Sequence, residues 1–150
     1  MKLGEFSRRL KKYADGKSIE NELMRYLRTN PHLIMNPQRE QLFTDSIGAD
    51  GDSLGFYSYN TAKFKGQEHK RGGKAFDMLA SGDFSNRMFI RFRGNDIFVG
   101  SSTNHLQAMY DNKAFDTIDF FGLTAENEKA LKNKLTRYSA EWIVKGLKNG

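Results

Sequence analysis

The segment that most constrains the fold is Asp83–Ser101, which reads DFSNRMFIRFRGNDIFVGS. Successive residues of Met88–Arg93 alternate between two faces, and a period of two predicts a half-buried strand. Gly94-Asn95 interrupts this run, and the apolar residues of Ile97–Val99 resume it. A small, conformationally permissive pair between two β-rich runs indicates a hairpin. The sequence therefore predicts a central hairpin at about 87–101.

The hairpin segment has no histidine, no cysteine and no cluster of carboxylates. Arg91 and Arg93 fall on the same face of the first predicted strand. Charged side chains commonly keep exposed strands soluble, because they oppose pairing with other chains. We therefore interpret this arginine-bearing face as solvent-exposed.

Composition sets limits on the rest of the chain. A length of 150 residues, of which 38% are hydrophobic and 13% aromatic, predicts one domain over 1–150 with a real core. The absence of cysteine excludes disulfides, thiolate metal sites and a cysteine nucleophile. No apolar run approaches the roughly 18 residues of a membrane span. The charged start lacks the apolar region of a signal peptide, so we do not expect secretion.

The charge balance favours anionic partners. The net charge is +6 and the sequence pI is about 9.5. Such a surface attracts nucleic acid or an acidic protein surface, and the charge alone does not choose between them.

Two helices are predicted near the N-terminus. Residues 1–14 have an apolar stripe and a basic face, which is typical of a docking helix with a solvated back or of a phosphate- or membrane-binding helix. Ser18–Thr29 follows, with Ser18 as its N-cap, and Asn30-Pro31 ends it because the residue before proline avoids the α region. Beyond it we expect a helical turn at 31–35, an interruption at Pro37 and another short helical piece at Gln38–Phe43.

The C-terminal helix has the strongest pattern in the chain. Thr124 is the expected N-cap, and Glu126 and Glu128 lie in the first turn, where the helix dipole favours acids. The apolar stripe of this helix consists of Leu131, Leu135, Tyr138 and Trp142. We expect this stripe to pack against the hairpin face that carries Ile90, Phe92, Ile97 or Val99. The predicted fold class is α+β: a small antiparallel sheet packed against N-terminal helices and a long C-terminal helix, with a long polar loop.

The long loop covers Thr44–Lys74 and is rich in Gly, Ser, Asp, Asn and Lys. We expect a flexible arm, mobile in the free chain, because it buries too little apolar surface to offset its ordering entropy. Its aspartates lack the spacing of a calcium loop, and Gly66–Lys74 lacks a Walker sequence. A solvated loop and a contact to phosphate or an acidic partner both remain open. The expected partner contacts are four aromatic and four basic residues: Phe56, Tyr57, Tyr59, Phe64, Lys65, Lys70, Arg71 and Lys74.

The sequence gives no positive sign of catalysis. His32, His69 and His105 are far apart, and no histidine pair has the spacing of a metal site. No nucleophile elbow or nucleotide fingerprint is present. We therefore expect a protein that is not an enzyme and that uses neither cofactor nor metal. A small ribonuclease that combines His105, Glu68 and Arg91 is the catalytic alternative, although nothing in their spacing favours it.

A series of short motifs, taken in order over roughly 41–145, resembles the pattern of the neck and tail-completion (virion-morphogenesis, minor tail) proteins of tailed bacteriophages. The last motif, FFGLT, is similar to the "FLGL(T/S)" step that precedes the terminal helix in that family. The chain departs from the pattern at HLQAMYDNKAFD, which leaves the subfamily open. The motifs are Gln41-Leu42, Asp50-Gly51, Leu54-Gly55, Tyr57-Ser58 with Thr61, Ser81-Gly82-Asp83-Phe84, Val99-Gly100-Ser101-Ser102, Met109-Tyr110 and Phe120-Phe121-Gly122-Leu123-Thr124.

This resemblance implies an α+β domain and a structural role in head–tail joining or tail completion. The chain would be a subunit of a symmetric homo-oligomeric ring, located in the neck or tail of the virion and in the host cytoplasm during assembly. Its implied partners are the portal or connector, the tail tube and the tail terminator, with packaged DNA as a further contact and no membrane. The alternative function is a basic nucleic-acid-binding domain.

Overall fold

The computed structural model describes residues 15–56, 82–104, 111 and 119–149. The chain divides into two compact units: the helical unit, Met1–Leu33 with Glu128–Gly150, and the hairpin unit, Ile34–Asn127. Helices and a two-stranded antiparallel sheet make the fold α+β, as predicted. The helix predicted for residues 1–14 lies outside the described residues.

Helix α1 spans Gly16–Thr29 and begins earlier than predicted. The N-cap is Asp15 rather than Ser18, whose Oγ instead donates to Asp15 Oδ2 at 3.1 Å. The helix ends before Asn30-Pro31, as expected. Asn30 is the C-cap residue, and its backbone N–H donates to the carbonyls of Tyr26 and Leu27.

Helix α2 spans His32–Glu40 and runs through Pro37, so the predicted interruption is wrong. Proline here removes one helical hydrogen bond, the one to the Leu33 carbonyl four residues earlier. One face of the helix and of the turn that follows it is buried, and this burial stabilises the helix across the proline. The buried residues have helical spacing: Ile34, Gln38, Gln41 and Leu42.

A π-helical turn at Gln41–Asp45 follows α2, and a compact loop then returns the chain to the core. Ile47 pairs with Ser53 in an isolated antiparallel bridge, and the Leu54 N–H donates to the Ser46 carbonyl at 2.8 Å. Leu54 is only 3% exposed. The first part of the predicted arm thus packs on the core as far as Leu54, which fills a buried site, and the mobility of the arm in the free chain stays a prediction.

The predicted hairpin is confirmed. Strands β1, Met88–Arg93, and β2, Asp96–Ser101, pair in antiparallel register. In the connection, Gly94 has a φ of 60° whereas Asn95 does not adopt positive φ, which is the pattern of a type II′ turn. A short helix, α3, at Asp83–Asn86, separates the predicted turn at Gly82 from β1.

The core of the hairpin unit is an apolar cluster drawn from four separate segments. Phe84 stacks on Phe121 with ring centroids 5.8 Å apart and meets Phe43 edge to face at 6.1 Å. Met88, at the start of β1, packs against the same cluster. The buried members of the cluster are Leu42, Leu54, Phe84 and Phe120.

Two buried glutamines fix the segment that contains Phe120, and we call them the glutamine clamp. Gln38 donates to the Phe120 carbonyl at 3.0 Å and accepts from the Gly122 N–H at 2.7 Å. Gln41 donates to the Gly122 carbonyl and accepts from the Thr124 N–H, both at 2.9 Å. The side-chain amide of Asn127 donates a second hydrogen bond to Gln41 Oε1, at 2.9 Å. Side-chain amides thus form the hydrogen bonds of backbone N–H and C=O groups in a segment that is in neither a helix nor a strand.

Helix α4 spans Ala125–Asn149, and Gly146 near its C-terminal end does not interrupt it. The predicted cap is confirmed, because the Asn127 N–H donates to Thr124 Oγ1 at 3.3 Å. The predicted stripe of Leu131, Leu135, Tyr138 and Trp142 is half-buried between exposed residues. Its packing against the hairpin stays a prediction.

Candidate partner-binding surface

The structure describes one of the eight predicted contact residues, Phe56. Its side chain is 61% exposed, which fits an anchor for a partner. The other seven predicted contacts lie outside the described residues, so their contacts stay predictions: Tyr57, Tyr59, Phe64, Lys65, Lys70, Arg71 and Lys74.

The hairpin presents two faces of different character. Residues that pair directly in an antiparallel sheet share a face, so the register assigns each side chain. The inner face is apolar and half-buried, and Met88 joins it to the core. The opposite face, which we call the outer face, consists of Phe89, Arg91, Arg93, Asp96 and Phe98.

On the outer face, an aromatic ring holds an arginine in place. The Arg91 guanidinium carbon lies 4.4 Å from the centroid of the Phe89 ring, which is a cation–π contact. The ring in turn lies over Gly100, where an added Cβ would come within 2.9 Å of Phe89 Cζ. Phe98 is the direct partner of Arg91 across the strands and is 49% exposed. The outer face thus combines two exposed arginines with an exposed aromatic ring.

The helical unit contains a linked group of ionisable side chains. Arg25 donates two hydrogen bonds to the Glu22 carboxylate, and the Tyr138 hydroxyl donates to Glu22 Oε1. The rings of Tyr26 and Tyr138 stack with centroids 3.7 Å apart. Hydrogen bonding from Arg25 lowers the pKa of Glu22, although partial burial opposes this effect. Partial burial and the hydrogen bond to Glu22 raise the pKa of Tyr138. The hydrogen bond from Tyr138 to Glu22 and the stacked rings of Tyr26 and Tyr138 join α1 to α4.

We expect the ionised carboxylate of Glu22 to contribute to the free energy of unfolding, and this contribution to depend on pH in the acid range. A carboxylate whose pKa is lowered on folding stabilises the fold above its ordinary pKa, 4.5, and this contribution disappears as the pH falls below that value. Glu22→Gln should lower the free energy of unfolding by less than about 1 kcal/mol at pH 7, because the pair lies near the surface. The loss should shrink as the pH falls below 4.5, as measured by urea denaturation at several pH values.

Two variants control this experiment. Tyr138→Phe keeps the stacked ring but removes one hydrogen bond to Glu22, so the contribution of Glu22 should be lost at a higher pH. Glu141→Gln removes an exposed carboxylate from α4 and should not change the acid dependence. A Glu22→Gln protein with the wild-type pH dependence would contradict the assignment.

The structure describes some of the residues that the sequence analysis considered as catalytic or metal-binding candidates. His32 is exposed, whereas His69 and His105 lie outside the described residues. Asp50 accepts the N–H of Asp52 and so shapes its own loop. Among the described residues, no three His, Asp or Glu side chains come together as metal ligands. None of the described helices is both long and apolar enough to cross a bilayer.

Sequence reasoning missed the glutamine clamp. Gln38 and Gln41 lie three residues apart and share the helical face of Ile34 and Leu42. A polar residue on an otherwise apolar stripe was the available signal, because a buried amide needs hydrogen-bond partners. The partners themselves lie more than 80 residues further along the chain, where the local pattern cannot reveal them.

The chain was compared with models of protein families, with curated proteins and with solved structures, and none of the three comparisons gave a match.

Proposed function

We propose that this protein is a structural component of a tailed-phage virion that acts in head–tail joining or tail completion as a subunit of a neck or tail ring. The proposal begins from the ordered motifs that resemble that class of proteins. It includes no catalytic step, and its partners are other virion proteins and further copies of this chain.

One observation carries the proposal: the motifs of the resemblance supply the buried core of the hairpin unit. Leu42, Leu54, Phe84 and Phe120 form one apolar cluster, and each belongs to a different motif of the series. A protein that shares these motifs would therefore share these four core positions, which is the support that the structure lends to the proposal.

The last motif also has a structural role within the hairpin unit. Phe120 is fully buried, the glutamine clamp binds the backbone from Phe120 to Thr124, and Thr124 caps α4. These contacts use backbone groups and an apolar ring, which fits a motif that carries no catalytic residue.

The oligomeric state gives the first test of the proposal. Light scattering of the purified chain across a range of concentrations should give a discrete multiple of the 17.2 kDa protomer, and electron microscopy should show closed rings. Mass spectrometry of virions from the encoding phage should detect the chain. Turnover of RNA or DNA that disappears in a His105→Ala protein would overturn the structural role and favour the ribonuclease.

A second test uses the basic residues of the predicted arm. Because the sequence predicts a solvated arm, and solvated charges contribute little to folding, neutralising Lys65, Lys70, Arg71 and Lys74 together should leave the thermal unfolding midpoint nearly unchanged. Particle assembly or tail attachment should fall instead, as measured by the yield of complete virions. A matched variant removes the same number of charges from exposed positions of α4 and should not reduce the yield: Lys129→Gln, Lys134→Gln, Lys145→Gln and Lys148→Gln. An arm variant that assembles normally would contradict the role of the arm.

The alternative function, a basic nucleic-acid-binding domain, is favoured by a different observation. The net charge is +6, and the outer face of the hairpin carries two exposed arginines beside an exposed ring. Tight binding to DNA without sequence preference, with a steep salt dependence and no incorporation into particles, would select this alternative.

A further inference from the structure

We propose that the outer face of the hairpin binds single-stranded nucleic acid, with Arg91 and Arg93 at the phosphates and Phe98 stacked on a base. This inference goes beyond the assembly role and does not depend on it. A chain that fails to form rings should still bind single strands through this face.

The first step of the argument is the placement of the two arginines. They lie two residues apart on β1, so their Cα atoms are separated by about 7 Å along the strand and their side chains share a face. Neither forms an ion pair with a described residue, and both are exposed. Arginine meets phosphate through two parallel hydrogen bonds and is more weakly hydrated than lysine. Such a pair is suited to successive phosphates of one strand.

The second step is that the Arg91 side chain is held in place before a ligand binds. The guanidinium of Arg91 rests on the ring of Phe89, and that ring is seated on Gly100. This contact restricts the long side chain before any ligand arrives, so less conformational entropy is lost on binding. No described residue accepts a hydrogen bond from this planar group, so its N–H edges can meet a phosphate without breaking a described contact.

The third step is the exposed ring of Phe98. It lies directly across the strands from Arg91 and leaves about half of its surface in solvent, at 49% exposed. Aromatic side chains beside cations are the shared feature of surfaces that bind single strands, because every base has a π face. In a duplex the bases are stacked inside the double helix and cannot stack on Phe98. An acidic protein surface would pair with the two arginines but would not need the exposed ring. The combination therefore favours a single strand over either.

The test measures binding of the full chain to a fluorescent oligothymidylate of about ten nucleotides by anisotropy. A duplex of equal length serves as the comparison. We expect the single strand to bind more tightly than the duplex. Phe98→Ala should weaken single-strand binding by about 5- to 150-fold, the range for one lost stacking contact. Phe98→Tyr keeps the ring and should retain most of the affinity.

The contribution of the two arginines is measured by the salt dependence of binding. Arg91→Gln with Arg93→Gln should reduce the slope of log K against log salt concentration by about 1.4, the value for two phosphate contacts on a single strand. The control, Lys129→Gln with Lys134→Gln, removes the same charge from α4 and should change the slope much less. Asp96→Asn should tighten binding, because Asp96 is the one acidic residue of the outer face.

Two results would overturn the proposal. The first is equal weakening by the α4 control and by the arginine pair, which would mean that binding follows net charge alone. The second is unchanged single-strand affinity in Phe98→Ala. If the oligomeric state of that variant changes at the same time, the face is a contact between copies. Circular dichroism of each variant establishes that the hairpin and helices are intact.

Discussion

Replacing Phe120 by alanine should lower the free energy of unfolding by about 3–5 kcal/mol. Its side chain is fully buried, at 0% exposed, and belongs to the apolar cluster of Leu42, Leu54 and Phe84. The variant would lose the transfer free energy of the ring and would leave a cavity. The surrounding backbone cannot easily close this cavity, because the glutamine clamp holds the Phe120 carbonyl. Urea denaturation followed by circular dichroism measures the effect.

The matched control is Phe98→Ala, which removes the same side chain from the outer face of the hairpin. Phe98 is 49% exposed, so its loss should cost less than about 1 kcal/mol. The two variants should also have similar dependence on urea concentration, because both unfold the same core. If Phe120→Ala cost no more than Phe98→Ala, the cluster would not be the stabilising core of the hairpin unit.

Replacing Gln41 by leucine should cost about 2–5 kcal/mol, although it makes the core more apolar. The change leaves the Gly122 carbonyl, the Thr124 N–H and the Asn127 amide without their partner. A polar group that loses its hydrogen bond on burial is destabilised by about 1–3 kcal/mol, and access of water to this edge lowers the sum. The loss should appear in the same denaturation experiment and should also loosen the start of α4 in hydrogen exchange.

Asn36→Leu is the control for this substitution, because it also exchanges an amide for leucine on α2. Asn36 is exposed, so the change should alter stability by no more than about 0.5 kcal/mol. Gln41→Leu with wild-type stability would show that the segment from Phe120 to Thr124 keeps its conformation without the clamp. Hydrogen exchange at Thr124 and Asn127 distinguishes a local effect from global unfolding.

Local patterns were sufficient where a structure depends on neighbouring residues. The alternation of Met88–Arg93 and the break at Gly94-Asn95 predicted both strands and their connection, because strand periodicity and turn chemistry are local. Thr124 and the stripe on α4 predicted the last helix for the same reason. The polar composition of the loop after the π turn did not reveal that Leu54 is buried in the core, because its partners lie in other segments of the chain.

The sequence by itself thus determined the hairpin, the helix that ends before Asn30-Pro31 and the capped terminal helix. Only the tertiary structure decided that α2 continues through Pro37 and that Gln38 and Gln41 bind residues far along the chain. It also decided that Arg91 rests on the Phe89 ring and lies across from Phe98, on the face that the sequence had predicted to be exposed. The physical reason is that capping, turn formation and periodicity act over a few residues. The burial of a helix face, the pairing of a buried amide and the stacking on a sheet face depend on groups that only folding brings together.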